Sequence, residues 1–287
     1  MKFIELTSKK KYNPERVVIN DLRFYTETNT VEGELTKISP SINTLLSFVS
    51  DTKENISAQV DNYLNNKYSK YENLETLKNA QKKYWTVRGD IVHKCMEDSI
   101  QNQKIVSDWI KSEDYLDLFY TMANLEEKQH IPEELSSDNL TKGVQIIFDN
   151  FIKSFVKFKD VLWCLSETQM WSENFAGTVD AGYWESDQTV TILDLKTTSK
   201  NRKYNTRYHN HKLIDYILQM LAYSRMVEEM YEVKCKHLHL FSVNPYDVEE
   251  VKISTDSMIM NKKYQGMSYN NLLDYKIEKF KKEFSLV

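Results

Sequence analysis

The sequence predicts an α/β fold, a central mixed β-sheet flanked by helices with a helical lobe at its N-terminal end, and three observations predict it. The chain of 287 residues is long enough to bury a sizeable core without disulfide or metal staples. Apolar spacing is helical from about residue 42 to 158, then switches to short β runs between 161 and 196. From 142 onward the order helix, three strands, helix, two strands, helix puts a sheet between helical layers.

The elements follow in order. Residues 1–35 mix β-formers such as Val17, Val18, Ile19 and Phe24 with polar residues, and predict only irregular strand. At Ser39-Pro40-Ser41 the pattern turns helical: Pro40 suits a first turn, Ser39 or Ser41 can cap, and Ile42, Leu45, Leu46 and Val49 recur at helical spacing. Polar helical segments run to about 85, so residues 1–86 are expected to form an N-terminal segment and lobe, and 87–287 the core. A helix is predicted over 87–101, with Ile91, Val92, Cys95, Met96 and Ile100 as one apolar stripe and His93 and Glu97 at its edge. An acid-rich helical insert, exposed to solvent, is expected near 111–138. Helix 142–158 leads into strands at 161–171, 176–184 and 189–196. Helix 213–231, strands 236–243 and 248–254, and helix 270–284 complete the chain.

Composition narrows the function. Hydrophobic residues at 41% and charged residues at 28% exclude disorder of the whole chain. A net charge of −4 gives no global attraction for nucleic acid, so any such contact must come from a local basic surface. Cys95, Cys164 and Cys235 are odd in number and dispersed, which predicts reduced structural thiols and no iron–sulfur cluster. With no long apolar run and no Arg-rich leader, the expectation is a cytoplasmic protein of a bacterial or phage-infected cell, without membrane contact and without an evident organellar transit peptide.

The chemistry concentrates in two strands. Alternation puts Asp194 and Lys196 on one face of Ile192-Leu193-Asp194-Leu195-Lys196, while Leu193 and Leu195 go to the other. An acid and a lysine on an apolar strand are costly to bury unless they pair or meet a metal. Asp180, in Gly177-Thr178-Val179-Asp180, can lie opposite on the preceding strand. Two carboxylates and the Leu195 main-chain carbonyl would suit a hard divalent cation, with Lys196 beside it to orient a water or meet phosphate charge. His93 and Glu97 lie one helical turn apart, as do Gln219 and Tyr223, and Glu167 on the strand before Asp180 is an auxiliary acid. After Lys196 come Lys200, Arg202, Lys203 and Arg207 with Tyr204 and Tyr208 interleaved, a pattern for phosphate attraction and base stacking. Arg88 is a further candidate contact.

These motifs, G-x-x-x-H-x-x-x-E (Gly89, His93, Glu97), G-T-V-D, D-x-K and Q-x-x-x-Y in that order, resemble the RecB-type branch of the PD-(D/E)XK nucleases. Within that branch the chain is similar to the mitochondrial genome maintenance exonuclease and its phage and bacterial relatives, over roughly residues 39–285. The resemblance implies a restriction-endonuclease-like core in which His93, Asp180 and Asp194 ligate Mg²⁺ or Mn²⁺. It further implies that Lys196 and Glu97 are catalytic and that Gln219 and Tyr223 shape the site. The implied activity is hydrolysis of DNA, as an exonuclease preferring single-stranded ends in replication, repair or recombination. The implied assembly is a monomer that meets replication or recombination proteins. Other readings are a non-cleaving nucleic-acid binder on the same fold and a structure-specific flap endonuclease. The chain departs from the pattern in carrying Asp194 where Glu is commoner, and in lacking the four cysteines of cluster-bearing relatives.

Overall fold

The computed structural model describes residues 1–7, 15–19, 22–28, 35–48, 53–109, 111–186, 188–199, 203–204, 211–257, 260–261, 263–264 and 266–284. Its centre is a six-stranded mixed sheet in the order β1-β5-β6-β7-β8-β9. These strands are β1 (Lys2–Phe3), β5 (Leu162–Trp171), β6 (Ala176–Ser186), β7 (Thr189–Thr197), β8 (Lys234–Val243) and β9 (Val248–Ser254). Pairing is parallel between β1 and β5 and between β7 and β8, and antiparallel elsewhere. The α/β class with a mixed sheet between helices therefore matches the sequence pattern.

Strand β7 is central and apolar on both faces, as a strand covered on both sides must be. Val190 and Ile192 pack with α6 (His211–Tyr231) and α7 (Tyr269–Phe284), whereas Leu193 and Leu195 pack with α3 (Leu74–Gln101) and α5 (Ser137–Phe155). The inner face of α5 repeats Leu140, Val144, Ile147, Phe148, Phe151 and Phe155, all buried at helical spacing.

Three expectations are corrected. The acid-rich segment forms α4 (Glu113–Lys128), capped by Ser112, whose Oγ accepts from the Tyr115 amide at 3.1 Å. Its acids face outward, but Tyr115, Leu118 and Met122 are buried, so it belongs to a packed helical layer rather than to a solvated connector. The proposed boundary at residue 86 falls inside α3, one continuous helix of 28 residues. Residues 1–86 are also not a separate lobe: β1 extends the central sheet, α1 (Ile42–Phe48) packs with α6 and α7, and α2 (Lys53–Tyr68) packs with α3. Finally, residues read as irregular strand form a second, three-stranded antiparallel sheet of β2 (Glu15–Ile19), β3 (Leu22–Thr28) and β4 (Leu35–Pro40). Pro40 ends β4 rather than opening a helix, and Ser41 caps α1, its Oγ accepting from the Thr44 amide at 3.1 Å.

Cys95, Cys164 and Cys235 are free and buried, and burial pushes each thiol up to about 12. Among the described residues no helix is long and apolar enough to cross a membrane.

At the far end of β6, Glu185 gathers Lys252, Thr191 and His237. Burial opposes its charge, yet these donors hold the carboxyl down at about 2. A depressed folded-state pKa stabilises the fold above the unfolded value near 4.5 and loses that contribution as pH falls towards 2. Glu185→Gln is thus expected to lower stability at pH 7 by on the order of 1–2 kcal/mol, solvent screening taking up part of the shift, and by much less at pH 2–3. Urea unfolding at both pH values checks this, and an equal loss at both would reject it.

Candidate metal and catalytic site

Where β6 and β7 meet, the ladder runs from Ser186↔Thr189 to Ala181↔Leu193 and then stops. The next residue of β6, Asp180, replaces a backbone partner with its carboxylate: Oδ2 accepts from the Leu195 amide at 2.7 Å. The strands part here, and because a strand residue points its N–H and C=O to the same side, the Leu195 carbonyl faces the same gap. The even residues of β7 look towards α6, and Lys196 Nζ donates to Asp194 Oδ1 at 2.7 Å.

Helix α3 brings His93 to this gap. It approaches closely because residue 89 is glycine: a Cβ there would lie 3.3 Å from Thr197 Oγ1 on β7. On β5, Glu167 sits at φ +43°, a left-handed conformation costing about 1–2 kcal/mol for a residue with a side chain. There its Oε1 lies 3.4 Å from His93 Nδ1, and Asp180 Oδ1 lies 3.8 Å from the same nitrogen. One donor atom from each of His93, Glu167 and Asp180 falls within 4.8 Å of the other two.

Electrostatics in this cluster are strongly coupled. Burial works against charge on His93, but Asp180 and Glu167 outweigh it and raise the imidazole to about 8. Burial raises the carboxyl pKa of Asp194, which is 1% exposed, against the pull of Lys196. Burial also disfavours the Lys196 ammonium, yet Asp194 and Asp180 more than offset that and keep it charged. Burial and the same two carboxylates hold the Tyr223 hydroxyl protonated. Asp194 Oδ2 is fully buried and has no hydrogen-bond partner among the described residues. An anionic oxygen left so is costly unless a cation completes it. Two carboxylates and one imidazole form a hard donor set of the kind that suits Mg²⁺ or Mn²⁺, the imidazole favouring Mn²⁺ of the two, while the expected ligand Asp194 lies outside this group of three.

The cluster opens into a cavity of about 600 Å³ lined by His93, Glu97, Glu167, Asp180, Lys196, Gln219 and Tyr223, together with Gly177 and Thr178. Gln219 Nε2 donates to Tyr223 Oη at 3.0 Å, which fixes the phenol as one wall. Glu97 stands outside the donor cluster, because its carboxylate accepts from Lys94 Nζ at 2.9 Å and Gln101 Nε2 at 3.1 Å. Gly177 allows the wall to close: a Cβ there would fall 2.8 Å from Tyr223 Cε1 and 3.4 Å from Ile42 Cγ2. Gly177→Ala is accordingly expected to cost about 1–3 kcal/mol through overpacking and to tilt Tyr223. An unchanged thermal midpoint would show that the contact can relax freely.

No family model matches this chain, and no curated protein matches it.

Two expected nucleic-acid contacts are corrected. Arg88 is 5% exposed, with its guanidinium 4.8 Å over the Tyr84 ring and away from the cavity. Tyr204 is also buried, its amide on Glu249 and its ring edge-on to Tyr216, so it is packing rather than a stacking platform. Lys203 is exposed, and Lys200, Arg202, Arg207 and Tyr208 lie outside the described residues. Sequence reasoning missed Arg16, Arg23 and Asn43, which line the cavity from β2, β3 and α1. The available signal was the alternation Arg16-x-Val18 and Arg23-x-Tyr25 in two neighbouring β runs.

Proposed function

We propose that this chain is a divalent-metal-dependent nuclease with a restriction-endonuclease-like core of the PD-(D/E)XK type, acting on DNA as an exonuclease that prefers single-stranded ends. The observation that carries this reading is the convergence of His93, Glu167 and Asp180 donor atoms beside a buried Asp194 oxygen that has no partner and a lysine held charged. Asp180, Glu167, His93, Asp194 and the Leu195 carbonyl would hold Mg²⁺ or Mn²⁺. When bound, such an ion supplies a Lewis acid for a phosphoryl oxygen and promotes deprotonation of water.

The chain's own groups do the rest. Asp194 orients Lys196 through their hydrogen bond, so the ammonium can meet the charge developing on phosphate without reorganising. Tyr223, kept protonated, offers a donor towards the same space, and Gln219 holds its direction.

End-labelled oligonucleotides, single- and double-stranded, linear and circular, incubated with and without Mg²⁺ or Mn²⁺, test this. Metal-dependent loss of linear single strand with circles intact is the expected result. Inertness of every substrate with either metal would reject the nuclease, and cutting of circles would reject the exonuclease.

A further inference from the structure

We propose that the hairpin β2–β3 is a phosphate clamp, in which Arg16 and Arg23 hold a nucleic-acid single strand across the cavity from the carboxylates; what the strand is rests on the nuclease reading above. The register of the hairpin decides which way its side chains look. Arg16 pairs with Tyr25 and Val18 with Arg23, so these four share one face, while Val17 and Phe24 share the other. Phe24 is buried in the main core with Val17 packed against it. The arginine face is therefore turned away from the core, and both arginines line the cavity.

The hairpin is also anchored. The Arg23 amide donates to Thr44 Oγ1 at 3.0 Å, and the Arg23 carbonyl accepts from Thr44 Oγ1 and from the Ser41 amide, each at 2.9 Å. Beneath the arginines, Tyr25 is buried and meets Trp171 edge-on at 6.5 Å. Two guanidinium groups thus stand on a fixed platform rather than on a loose arm.

The cavity lining differs in charge by element: β2 and β3 bring Arg16 and Arg23, while α3, β5 and β6 bring Asp90, Glu97, Glu167 and Asp180. Its lysines are committed, Lys196 to Asp194 and Lys94 to Glu97 and Asp98. Among the described residues neither Arg16 nor Arg23 has an acidic partner, and both side chains are exposed. A polyanion entering a site rimmed with carboxylates needs attraction from elsewhere, and the planar guanidinium fork fits a phosphodiester in two hydrogen bonds. The clamp would grip phosphates flanking the one at the metal-ligating cluster, and so act as a positioning device whose hold on the strand does not require the metal.

The test is anisotropy of a labelled single-stranded oligonucleotide with the full chain in EDTA, across a range of salt, for the wild type, Arg16→Gln, Arg23→Gln and the double variant. The double variant is expected to bind at least ~10-fold more weakly, with a salt slope shallower by about 1.4, the value for two lost phosphate contacts on a single strand. Lysine at both positions should recover part of the affinity, since it restores charge without the fork. In Mn²⁺ the double variant should show a raised KM with kcat largely kept. An unchanged slope and affinity in the glutamine variants overturns the clamp even if the wild type cuts DNA, as does a wild type that binds no single strand. Metal-independent binding that weakens as expected in a protein that never cuts would keep the clamp and reject the nuclease. If the double variant fails to fold, either single variant decides, with a slope change of about 0.7 expected.

Discussion

Lys196→Ala is expected to lower metal-dependent cleavage by about 10²–10³-fold while the chain still folds. The ammonium is held charged by Asp194 and Asp180 and aimed by a 2.7 Å hydrogen bond, so in the proposed reaction it would meet developing negative charge with little reorganisation. Its removal also leaves Asp194 almost fully buried with neither oxygen paired by lysine. A carboxylate so placed protonates more readily, since burial already raises its pKa and the opposing ammonium is gone. The variant should therefore lose metal affinity at pH 7 and recover part of it at higher pH, as Asp194 ionises. Single-turnover cleavage in Mn²⁺ and metal titration from pH 6 to 9 separate the two effects. Near wild-type cutting would remove Lys196 from the chemistry.

The sequence made this pair legible because alternation in a strand is local: residues 194 and 196 share a face whatever the rest of the fold does. The same holds for His93 on its helix, and for Gln219 and Tyr223 one turn apart. What stayed hidden depends on distant partners. Glu167 is legible as an auxiliary acid, but its place beside His93 is not, since it sits there on a left-handed backbone that breaks the alternation strand reasoning assumes. Arg88 and Tyr204 were read from their neighbours in a basic or motif-rich stretch. The fold draws one over Tyr84 and the other against Ser242 and Tyr216, contacts 4 to 38 residues away along the chain. The hairpin β2–β3 gave only a weak period because the face that carries Arg16 and Arg23 also carries the apolar Val18 and Tyr25, and its anchor at Thr44 is 21 residues from Arg23. The continuous helix α3 was cut at 86 because its first half buries polar side chains such as Lys78 and Gln81, which mask the apolar stripe.

Asp180→Asn and Asp180→Ala should both abolish cleavage, by ~10³-fold or more, yet differ in stability. The Asp180 carboxylate has two duties, one on each oxygen. Oδ1 faces His93, and Oδ2 takes the Leu195 amide where the β6–β7 ladder ends. Asparagine keeps a carbonyl oxygen for that amide and removes only the charge, so the metal-free thermal midpoint should stay near wild type. Alanine leaves a buried N–H without a partner, at a cost of about 1–3 kcal/mol, and the midpoint should fall. In both variants the stabilisation expected of Mn²⁺ on the wild type, which would grow as RT ln(1 + [L]/Kd), should disappear. A third reading needs no metal at all. Asp180 is the foremost charge raising His93 to about 8, so the imidazole in Asp180→Asn should titrate lower by NMR. If Asp180→Asn kept its Mn²⁺-induced shift and an unmoved His93 titration, Asp180 would be only a strand-end cap, and the cation would have to be sought elsewhere.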